Sequence, residues 1–404
     1  MASAESTIRA GNSKRLDGID LLRGLAIFFV LMNHVNIRLL LAKVPYLKFL
    51  PVQLAHFLVW NGQLGVQMFF VVSGFLITSI SLRRWGQLSK VSLRDFYIFR
   101  FARIAPLLFL LLAVLSGLHF ANVHNFVVTA KTGGLGRALF AALTFHMNVL
   151  EARRGYLPGN WDILWSLSVE EMFYLFFPLV CRLFGRGKLF IAILLAFVAL
   201  GAPGRTLFAH GSEVWSEYCY LGGMEGIALG CLTAIIVSRV HCSRCALWVL
   251  GIGGTTIVAL SLAFSLQGYS DWLGRTGLNF TVLGLGTCMF IAATTQTQWR
   301  SPRILTPLLK IGQYSYEVYL THMFIVFGLF GLFLDLGKPM RLVPVLFTIT
   351  IVVAGALGGA VAHLYSEPMN RYLRQKSQSA RNLGTGTCER IGSRRLGLVR
   401  PEKT

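Results

Sequence analysis

Long apolar stretches, separated by short polar and basic segments, recur along the whole chain. A helix needs about 20 mainly apolar residues to cross the hydrocarbon core of a bilayer, and the pattern contains ten such segments. The predicted spans are 20–41, 62–82, 103–121, 165–182, 189–202, 218–238, 246–266, 277–296, 312–333 and 342–364. The chain is therefore predicted to be an all-α, polytopic membrane helical bundle with about ten transmembrane helices.

One further apolar stretch, Ala138–Leu150, covers only 13 residues. That length is short for a span, so we predict a re-entrant or interfacial segment. No internal repeat is visible along the chain, which weakens the case for a transporter built from inverted repeats.

The composition agrees with a membrane protein. Of the 404 residues, 54% are hydrophobic and only 14% are charged, whereas soluble domains carry about 25% charged residues. The net charge of +21 could indicate nucleic-acid binding, but the basic residues lie between apolar runs rather than on a soluble face. We therefore predict no nucleic-acid partner and attribute the charge to topology, membrane lipids and an anionic ligand.

The distribution of Lys and Arg predicts the topology. With the N-terminus inside, 26 of the 38 basic residues belong to inner segments and 11 to outer ones, as the positive-inside rule requires. An eleventh span at Ala138–Leu150 would reverse every later loop and place the basic C-terminus outside. Both termini are therefore predicted to be cytoplasmic, in a multi-pass protein of the cell inner membrane.

The same pattern suggests a domain organisation. Residues 1–18 form a predicted cytoplasmic segment, residues 19–374 the membrane domain, and residues 375–404 a basic, disordered cytoplasmic tail. The first apolar run is too long for the core of a signal peptide, so it is expected to stay in the membrane.

The seven cysteines include a single C-x-x-C pair, Cys242 and Cys245. A structural zinc site needs four ligands, and no second pair follows. We therefore predict free thiols and no metal.

The first span contains two ionisable residues, Arg23 and His34, eleven positions apart. At 100° per residue they project from one helix face, roughly 16 Å apart along the axis. Ionisable groups inside a membrane are costly and are usually functional, and histidine transfers protons near neutral pH. The alternative is a histidine that only hydrogen-bonds a neighbouring helix.

Arg100 and Arg103 form an R-x-x-R pair at the predicted mouth of the third span. Residues three apart share a helix face, and two guanidinium groups there suit a phosphate-bearing ligand. Positive-inside anchoring, which needs no ligand, explains the pair equally well.

Acidic residues enter three of the other spans. Glu170 and Glu171 lie just inside the fourth span, where one of them could orient a histidine or contact a substrate hydroxyl, unless both are solvated among headgroups. The ninth span contains Glu317 and His322, and the sixth contains Glu225. At the end of the tenth span, Glu367 is predicted to form a helix-end ion pair with Arg371 or Arg374.

Six motifs in order give the chain a resemblance to the membrane acyltransferase-3 family, over roughly residues 15–374. The motifs are RLDGIDLLRG followed by His34, GVQMFFVVSGFLIT, FYIFRFARIAPL, WSLSVEEMFYL, YSYEVYLTH and SEPMNRYLR. The resemblance implies transfer of an acyl group, most often acetyl, from cytoplasmic acyl-CoA to a hydroxyl of a surface polysaccharide or lipid-linked glycan. It also suggests a stand-alone form without a fused soluble domain.

The resemblance assigns roles to residues that match the motifs. It implies a catalytic His34 with Arg23 as its partner, a donor-binding pair Arg100 and Arg103, an acidic pair Glu170 and Glu171, and a substrate-site His322. We add Asp17 and Tyr319 to the predicted substrate site. Two departures stand out: Glu317 lies where the family more often has a small or apolar residue, and Met172 replaces a common Gln.

The expected mechanism places the phosphates of acetyl-CoA against Arg100 and Arg103 and its arm along the face shared by Arg23 and His34. His34 then acts as general base or carries the acyl group, with Glu170 or Glu171 fixing its tautomer. The alternative is a secondary transporter or flippase that uses the buried His and Glu as a proton relay.

Overall fold

The computed structural model describes residues 16–49, 51–209, 212–264 and 272–377. The N-terminal segment before residue 16 and the predicted tail from residue 378 onward lie outside the described residues. Within those ranges every regular element is helical, which confirms the all-α prediction.

Ten helical stretches are long and apolar enough to cross a membrane, which confirms the predicted number. They are Asp17–Leu41, Gly62–Trp85, Leu93–Phe120, Gly159–Phe184, Lys188–Thr206, Glu213–Arg239, Arg244–Ala263, Leu278–Gln296, Ser315–Asp335 and Met340–Ser377. The protein is thus a multi-pass membrane protein.

The individual helices are numbered along the chain. They are α1 (Asp17–Leu41), α2 (Val52–Val59), α3 (Gly62–Trp85), α4 (Leu93–Phe120), α5 (Gly134–Leu143), α6 (Met147–Arg154), α7 (Gly159–Asp162), α8 (Leu164–Phe184), α9 (Lys188–Thr206), α10 (Glu213–Tyr218), α11 (Tyr220–Arg239), α12 (Arg244–Ala263), α13 (Trp272–Thr276), α14 (Leu278–Gln296), α15 (Thr306–Gln313), α16 (Ser315–Asp335) and α17 (Val343–Val361). Short 3₁₀ turns occupy Tyr46–Phe49, Leu88–Lys90, Ala130–Thr132, Arg303–Leu305 and Met340–Leu342.

Helix α4 begins at Leu93, well before the predicted start of the third span at residue 103. Ser92 caps its first turn by accepting a hydrogen bond from the backbone N–H of Asp95. Arg100 and Arg103 therefore lie inside the helix rather than before it, because the polar segment that precedes the apolar run is itself helical. Both arginines lie within α4, on a rigid element.

The final helix also extends further than its apolar run. After α17 the chain makes a π-helical turn, Ala362–Ser366, and continues as α-helix to residue 377. This extension brings Arg374 of the SEPMNRYLR motif against Phe99 of α4.

The apolar stretch Ala138–Leu150 divides between α5 and α6, which are too short to span a bilayer. The chain turns between them, and Phe145 there has a positive φ of 56°. Helix α6 packs against α8 and α10. The stretch therefore does not cross the membrane, as predicted.

Burial distinguishes central from peripheral helices. In the most apolar window of each, 67% of α3 residues and 72% of the α10–α11 residues are buried, against 17% for α12. Helix α3 packs between α1 and α11, whereas α12 packs mainly on α14 and exposes Trp248, Val249 and Ile252. The lipid-facing helices are apolar all round, so hydrophobicity does not identify the core of this bundle.

Close contact between α3 and α11 depends on glycine. A Cβ atom at Gly74 would overlap the backbone carbonyl of Ile227, and one at Gly230 would overlap the carbonyl of Val71. The two helices therefore approach backbone to backbone, as small residues permit in membrane proteins.

We expect Gly74→Ala to destabilise the protein by about 1–3 kcal/mol, because the added methyl group forces two packed backbones apart. The matched control is Gly117→Ala in α4, where an added Cβ would meet nothing within 4 Å. Thermal unfolding in detergent, followed by size-exclusion chromatography, measures both. Equal stability of the two variants would contradict the tight contact.

Candidate active site

Two cavities lie end to end inside the bundle and share the side chains of Val66 and Tyr319. The first, with a volume of about 350 Å³, is on the side where α1, α4 and α16 begin, which we call the N-terminal face. The second, of about 900 Å³, is on the opposite face. We name them the arginine cavity and the histidine cavity after the residues that line them.

Tyr319 is held firmly between the two cavities. Its hydroxyl lies 2.7 Å from the Ser166 hydroxyl and donates to the carbonyl of Ile163 at 3.0 Å. Ile163 immediately precedes α8, and Ser166 lies in its first turn. The predicted substrate residue Tyr319 therefore forms part of a partition between the cavities.

Four arginines line the arginine cavity: Arg23 from α1, Arg100 and Arg103 from α4, and Arg374 from the final helix. The rest of its polar lining consists of Glu170, Ser73, Ser166, Tyr174, Ser315, Tyr316 and Tyr319. Arg23, Arg100, Arg103 and Glu170, predicted as site residues from three different spans, are thus brought together around one cavity.

Arg100 is held by the acidic pair of α8. Its Nε donates to Glu171 at 2.9 Å, a second nitrogen also contacts Glu171, and Glu170 lies 3.5 Å away. The guanidinium stacks over the Tyr174 ring at 3.9 Å. Because an unpaired charge inside a membrane is costly, these contacts explain how Arg100 is tolerated and why its side chain is fixed.

Arg103 pairs with Glu317 of α16 at 3.1 Å, and the Glu317 side chain is almost fully buried. Glu317 is one of the two residues that depart from the pattern of the family that the chain resembles, and its ion pair with Arg103 accounts for a carboxylate at this buried position. Arg23 donates from Nε to the Ser315 hydroxyl at 3.0 Å and lies 3.9 Å from Asp20. Three of the four arginines therefore have carboxylates close by.

Glu170 also accepts hydrogen bonds from the Ser73 hydroxyl and, at 3.1 Å, from the Tyr174 hydroxyl. Sequence reasoning missed Ser73 and Tyr174, since hydroxyls within apolar spans carry no distinctive spacing. Glu170 and Glu171 therefore both form their contacts at the arginine cavity and its walls.

His34 lines the histidine cavity, and the residue beside it is His322 of α16. Their ring centroids are 5.0 Å apart, with an angle of 44° between the planes. His322 Nδ1 lies 2.6 Å from the carbonyl oxygen of Tyr319. A carbonyl only accepts, so Nδ1 carries the proton and Nε2 has the lone pair; Nε2 is buried and has no other partner.

The structure thus groups His34 with His322 rather than with the acidic pair of α8. Glu170 lines the other cavity, and Glu171 is bound to Arg100. The sequence suggested an acidic neighbour for His34 because both groups are ionisable and intramembrane. It could not show which helix faces α1 at the depth of His34.

At the opposite face the histidine cavity is lined by Asp162, Glu213, Glu217 and Arg38, with the rings of Trp60, Tyr156, Trp165 and Tyr218. The Tyr218 hydroxyl donates to Asp162 at 3.1 Å, and its ring stacks on Trp165 with centroids 4.2 Å apart. None of these residues was predicted as part of the site: most lie in loops or short helices outside the predicted spans, and Arg38 lies in the last turn of α1.

Glu151 of α6 lies behind this group and is fully buried. It accepts a hydrogen bond from the backbone N–H of Leu157 at 3.0 Å. Burial raises the pKa of the Glu151 carboxyl well above its usual range, and the charge of neighbouring Asp162 adds to the rise.

The remaining predicted residue, Asp17, lies outside both cavities. It pairs with Arg300 at 3.2 Å and accepts from the backbone N–H of Ser301 at 3.0 Å, at the start of α1. The structure gives it a contact between α1 and the segment after α14, so its role in the substrate site stays a prediction.

The predicted ion pair of Glu367 with Arg371 or Arg374 is not formed within the described residues. Glu367 instead lies 3.9 Å from His363, and Arg371 donates to the Glu367 backbone carbonyl. The π-helical turn just before Glu367 changes the register of side chains from that of a regular helix. Arg374 is thereby directed to α4.

The six cysteines within the described ranges are free. Among the same residues, no three His, Cys, Asp or Glu side chains are grouped as metal ligands would be.

A comparison with protein-family models matches residues 16–363 to a model described as an acyltransferase domain. The match covers most of the chain and all residues that line the two cavities except Arg374. The chain belongs to this acyltransferase family. The family predicted from the six motifs is therefore confirmed.

Curated relatives agree with the family. The O-acetyltransferase OatA of Staphylococcus aureus (strain NCTC 8325 / PS 47) is 24% identical over 322 residues, which is 76% of this chain and 50% of the relative. The peptidoglycan O-acetyltransferase OatA of Listeria monocytogenes serovar 1/2a is 29% identical over 329 residues, 76% of this chain and 49% of the relative. A putative O-acetyltransferase of Staphylococcus aureus (strain COL), SACOL0978, is 24% identical over 357 residues, 84% and 55%.

The acyltransferase chain thus spans about half the length of the curated relatives that it matches. No solved structure matches it.

Proposed function

We propose that this acyltransferase is a membrane O-acetyltransferase that uses acetyl-CoA as donor and a glycan hydroxyl as acceptor. The donor enters the arginine cavity and the acceptor enters the histidine cavity. The observation that carries the proposal is the meeting of two cavities of different chemistry at Tyr319, next to paired histidines. The printed activities of the relatives, O-acetyl transfer and peptidoglycan O-acetylation, support the acyl group and the acceptor class.

The arginine cavity suits the donor. Acyl-CoA carries phosphates at one end and a thioester at the end of a long, flexible arm. Guanidinium groups bind phosphates through planar arrays of N–H donors. The positive-inside distribution of basic residues supports a cytoplasmic position for this face and for both termini, with the protein in the inner membrane.

Arg100 and Arg103 have a second role in this proposal. Each is already paired with a buried carboxylate. The two arginines therefore fix the wall of the arginine cavity and also offer N–H groups to the acyl-CoA. Glu170 and Glu171 act on His34 only indirectly, by fixing Arg100 and the adjoining face of α8. This reassigns the acidic pair from tautomer control to positioning.

The two histidines suit proton transfer at the other side of Tyr319. His322 presents an unprotonated Nε2, which can accept the N–H of His34. His34 then keeps its second nitrogen unprotonated toward the histidine cavity, where it removes the proton from an acceptor hydroxyl. The resulting oxygen attacks the thioester, and the departing thiolate of CoA takes up the proton.

The histidine cavity suits a sugar acceptor. Ligand sites for polar small molecules combine aromatic walls with a few placed polar groups. Here the aromatic walls come from Trp60, Tyr156 and Tyr218, and the hydrogen-bonding groups from Asp162 and Arg38. A volume of about 900 Å³ accommodates more than one sugar ring.

Release of CoA tests the proposal. Purified full-length protein in nanodiscs is given acetyl-CoA with and without a crude glycan and lipid-linked glycan extract, and free thiol is measured with time. We expect release that depends on both the extract and the protein. Mass spectrometry should then show acetyl groups, each about 42 mass units, on the acceptor.

A secondary transporter or flippase with a His and Glu proton relay is the competing function. It needs no acyl-CoA, so the donor separates the two. Transport of a glycan by protein that neither binds nor cleaves acetyl-CoA would overturn the proposed reaction and favour the transporter.

A further inference from the structure

Next to the arginine cavity lies a group of three side chains to which the sequence analysis assigned no ligand. Arg374 and Arg84 both lie over the ring of Phe99, at 5.1 Å and 3.6 Å from its centroid. Arg374 also lines the arginine cavity. The three residues come from the final helix, α3 and α4, so the group forms only in the folded bundle.

Arg374 differs from the other arginines that line the cavity. Arg100 and Arg103 are paired with buried carboxylates, and Arg23 has Asp20 nearby. For Arg374, the described residues supply no carboxylate within ion-pair distance, and its Nε is buried without a hydrogen-bond partner. The charges of Arg84 and Arg103 act on it and repel it.

Such an arrangement needs an anion to become favourable. Stacking on Phe99 uses only the face of each guanidinium and leaves the N–H edges available for an anion. The carboxylate of Asp95 interacts electrostatically with Arg84 and offsets part of the local positive charge. It forms no ion pair with Arg374. The uncompensated charge therefore lies at Arg374, on the cavity wall.

From this geometry we propose that Arg374, supported by Arg84 and Phe99, is a phosphate-binding residue for the phosphorylated end of the acyl-CoA donor. The inference rests on the proposed donor and deepens it. Arg100 and Arg103, already neutralised by their carboxylates, shape the inner wall, while Arg374 supplies the charge that the phosphates meet at the entrance. A lipid phosphate could provide the same chemistry, and the experiment separates the two sources.

The test measures binding of CoA and of pantetheine, which lacks phosphate, to full-length protein in nanodiscs of zwitterionic lipid. Arg374→Gln should weaken CoA binding by about ten- to hundredfold, the loss expected for one or two charge-assisted hydrogen bonds, and leave pantetheine binding unchanged. Arg374→Lys keeps the charge without the planar fork and should fall between. The matched control is Arg371→Gln, one turn earlier on the same helix, exposed and outside the cavity lining.

Three other results would contradict the proposal. CoA binding by Arg374→Gln equal to the wild type, or a parallel loss of pantetheine binding, would overturn the phosphate role. Loss of co-purified anionic lipid from Arg374→Gln, with CoA binding unchanged, would identify a lipid headgroup as the occupant instead. If the wild-type protein itself binds no CoA, the proposed donor fails, and the phosphate role of Arg374 fails with it.

Discussion

His34→Ala should lower acetyl transfer by about 10²–10⁴-fold, the contribution typical of a positioned general base. Alanine leaves the cavity wall without a group that can hold the proton of the acceptor hydroxyl. His34 is only half-buried and faces a cavity, so its loss should not unfold the bundle. The measurement is the initial rate of CoA release at saturating acetyl-CoA and acceptor.

His241→Ala is the matched control, since His241 is exposed in the segment between α11 and α12, away from both cavities. It should retain full activity. CoA binding should be unchanged in both variants, because the proposed site for the donor phosphates is at the other cavity. Normal turnover by a well-folded His34→Ala protein would remove His34 from the chemistry and leave His322 as the candidate base.

Glu225→Gln should destabilise the protein by about 3–5 kcal/mol, because it leaves the buried charge of Arg205 without its counter-ion. Glu225 lies 2.6 Å from Arg205, and their side chains are 0% and 5% exposed. Arg205 also donates to the carbonyls of Gly277 and Gly222, so it ties α9 to α11 and to the start of α14. Thermal unfolding in detergent, with the yield of monodisperse protein, measures the loss.

A double variant separates the charge from the packing. Arg205→Met/Glu225→Gln leaves neither charge behind and should recover most of the stability, as replacement of whole buried ion pairs often does. Arg300→Gln, which breaks an exposed pair with Asp17, should cost less than about 1 kcal/mol. If Glu225→Gln is as stable as Arg300→Gln, the buried pair does not hold these helices together.

The His34→Ala and Glu225→Gln variants test different parts of the molecule. Neither Arg205 nor Glu225 lines the arginine or the histidine cavity. Folded Glu225→Gln protein should therefore keep its specific activity while the amount of folded protein falls. His34→Ala should show the reverse.

The spans were predictable because each depends on local sequence. About 20 apolar residues must form a helix in a bilayer, since unsatisfied backbone groups are too costly there. Helix ends were less predictable, because Ser92 starts α4 within a polar segment and a π-helical turn extends the last helix. Both ends depend on capping and on neighbouring helices rather than on hydropathy.

The sequence also placed Arg23 and His34 on one helix face, because that relation follows from helical geometry alone. It could not pair residues from different helices. Arg100 and Glu171 are 71 positions apart, and Arg103 and Glu317 are 214 apart. Their positions in the sequence do not distinguish these ion pairs from other possible pairings of the same arginines and glutamates.

By itself, then, the sequence determined the class of the protein, the number of spans, the family and the set of ionisable residues inside the membrane. Only the tertiary structure decided that His322 accompanies His34, that the acidic pair of α8 holds Arg100, and that Arg374 reaches the cavity mouth. The physical reason is that hydrophobicity fixes which segments enter the bilayer but exerts little preference among helix faces once they are there. Glycine contacts and buried ion pairs between distant helices make that choice.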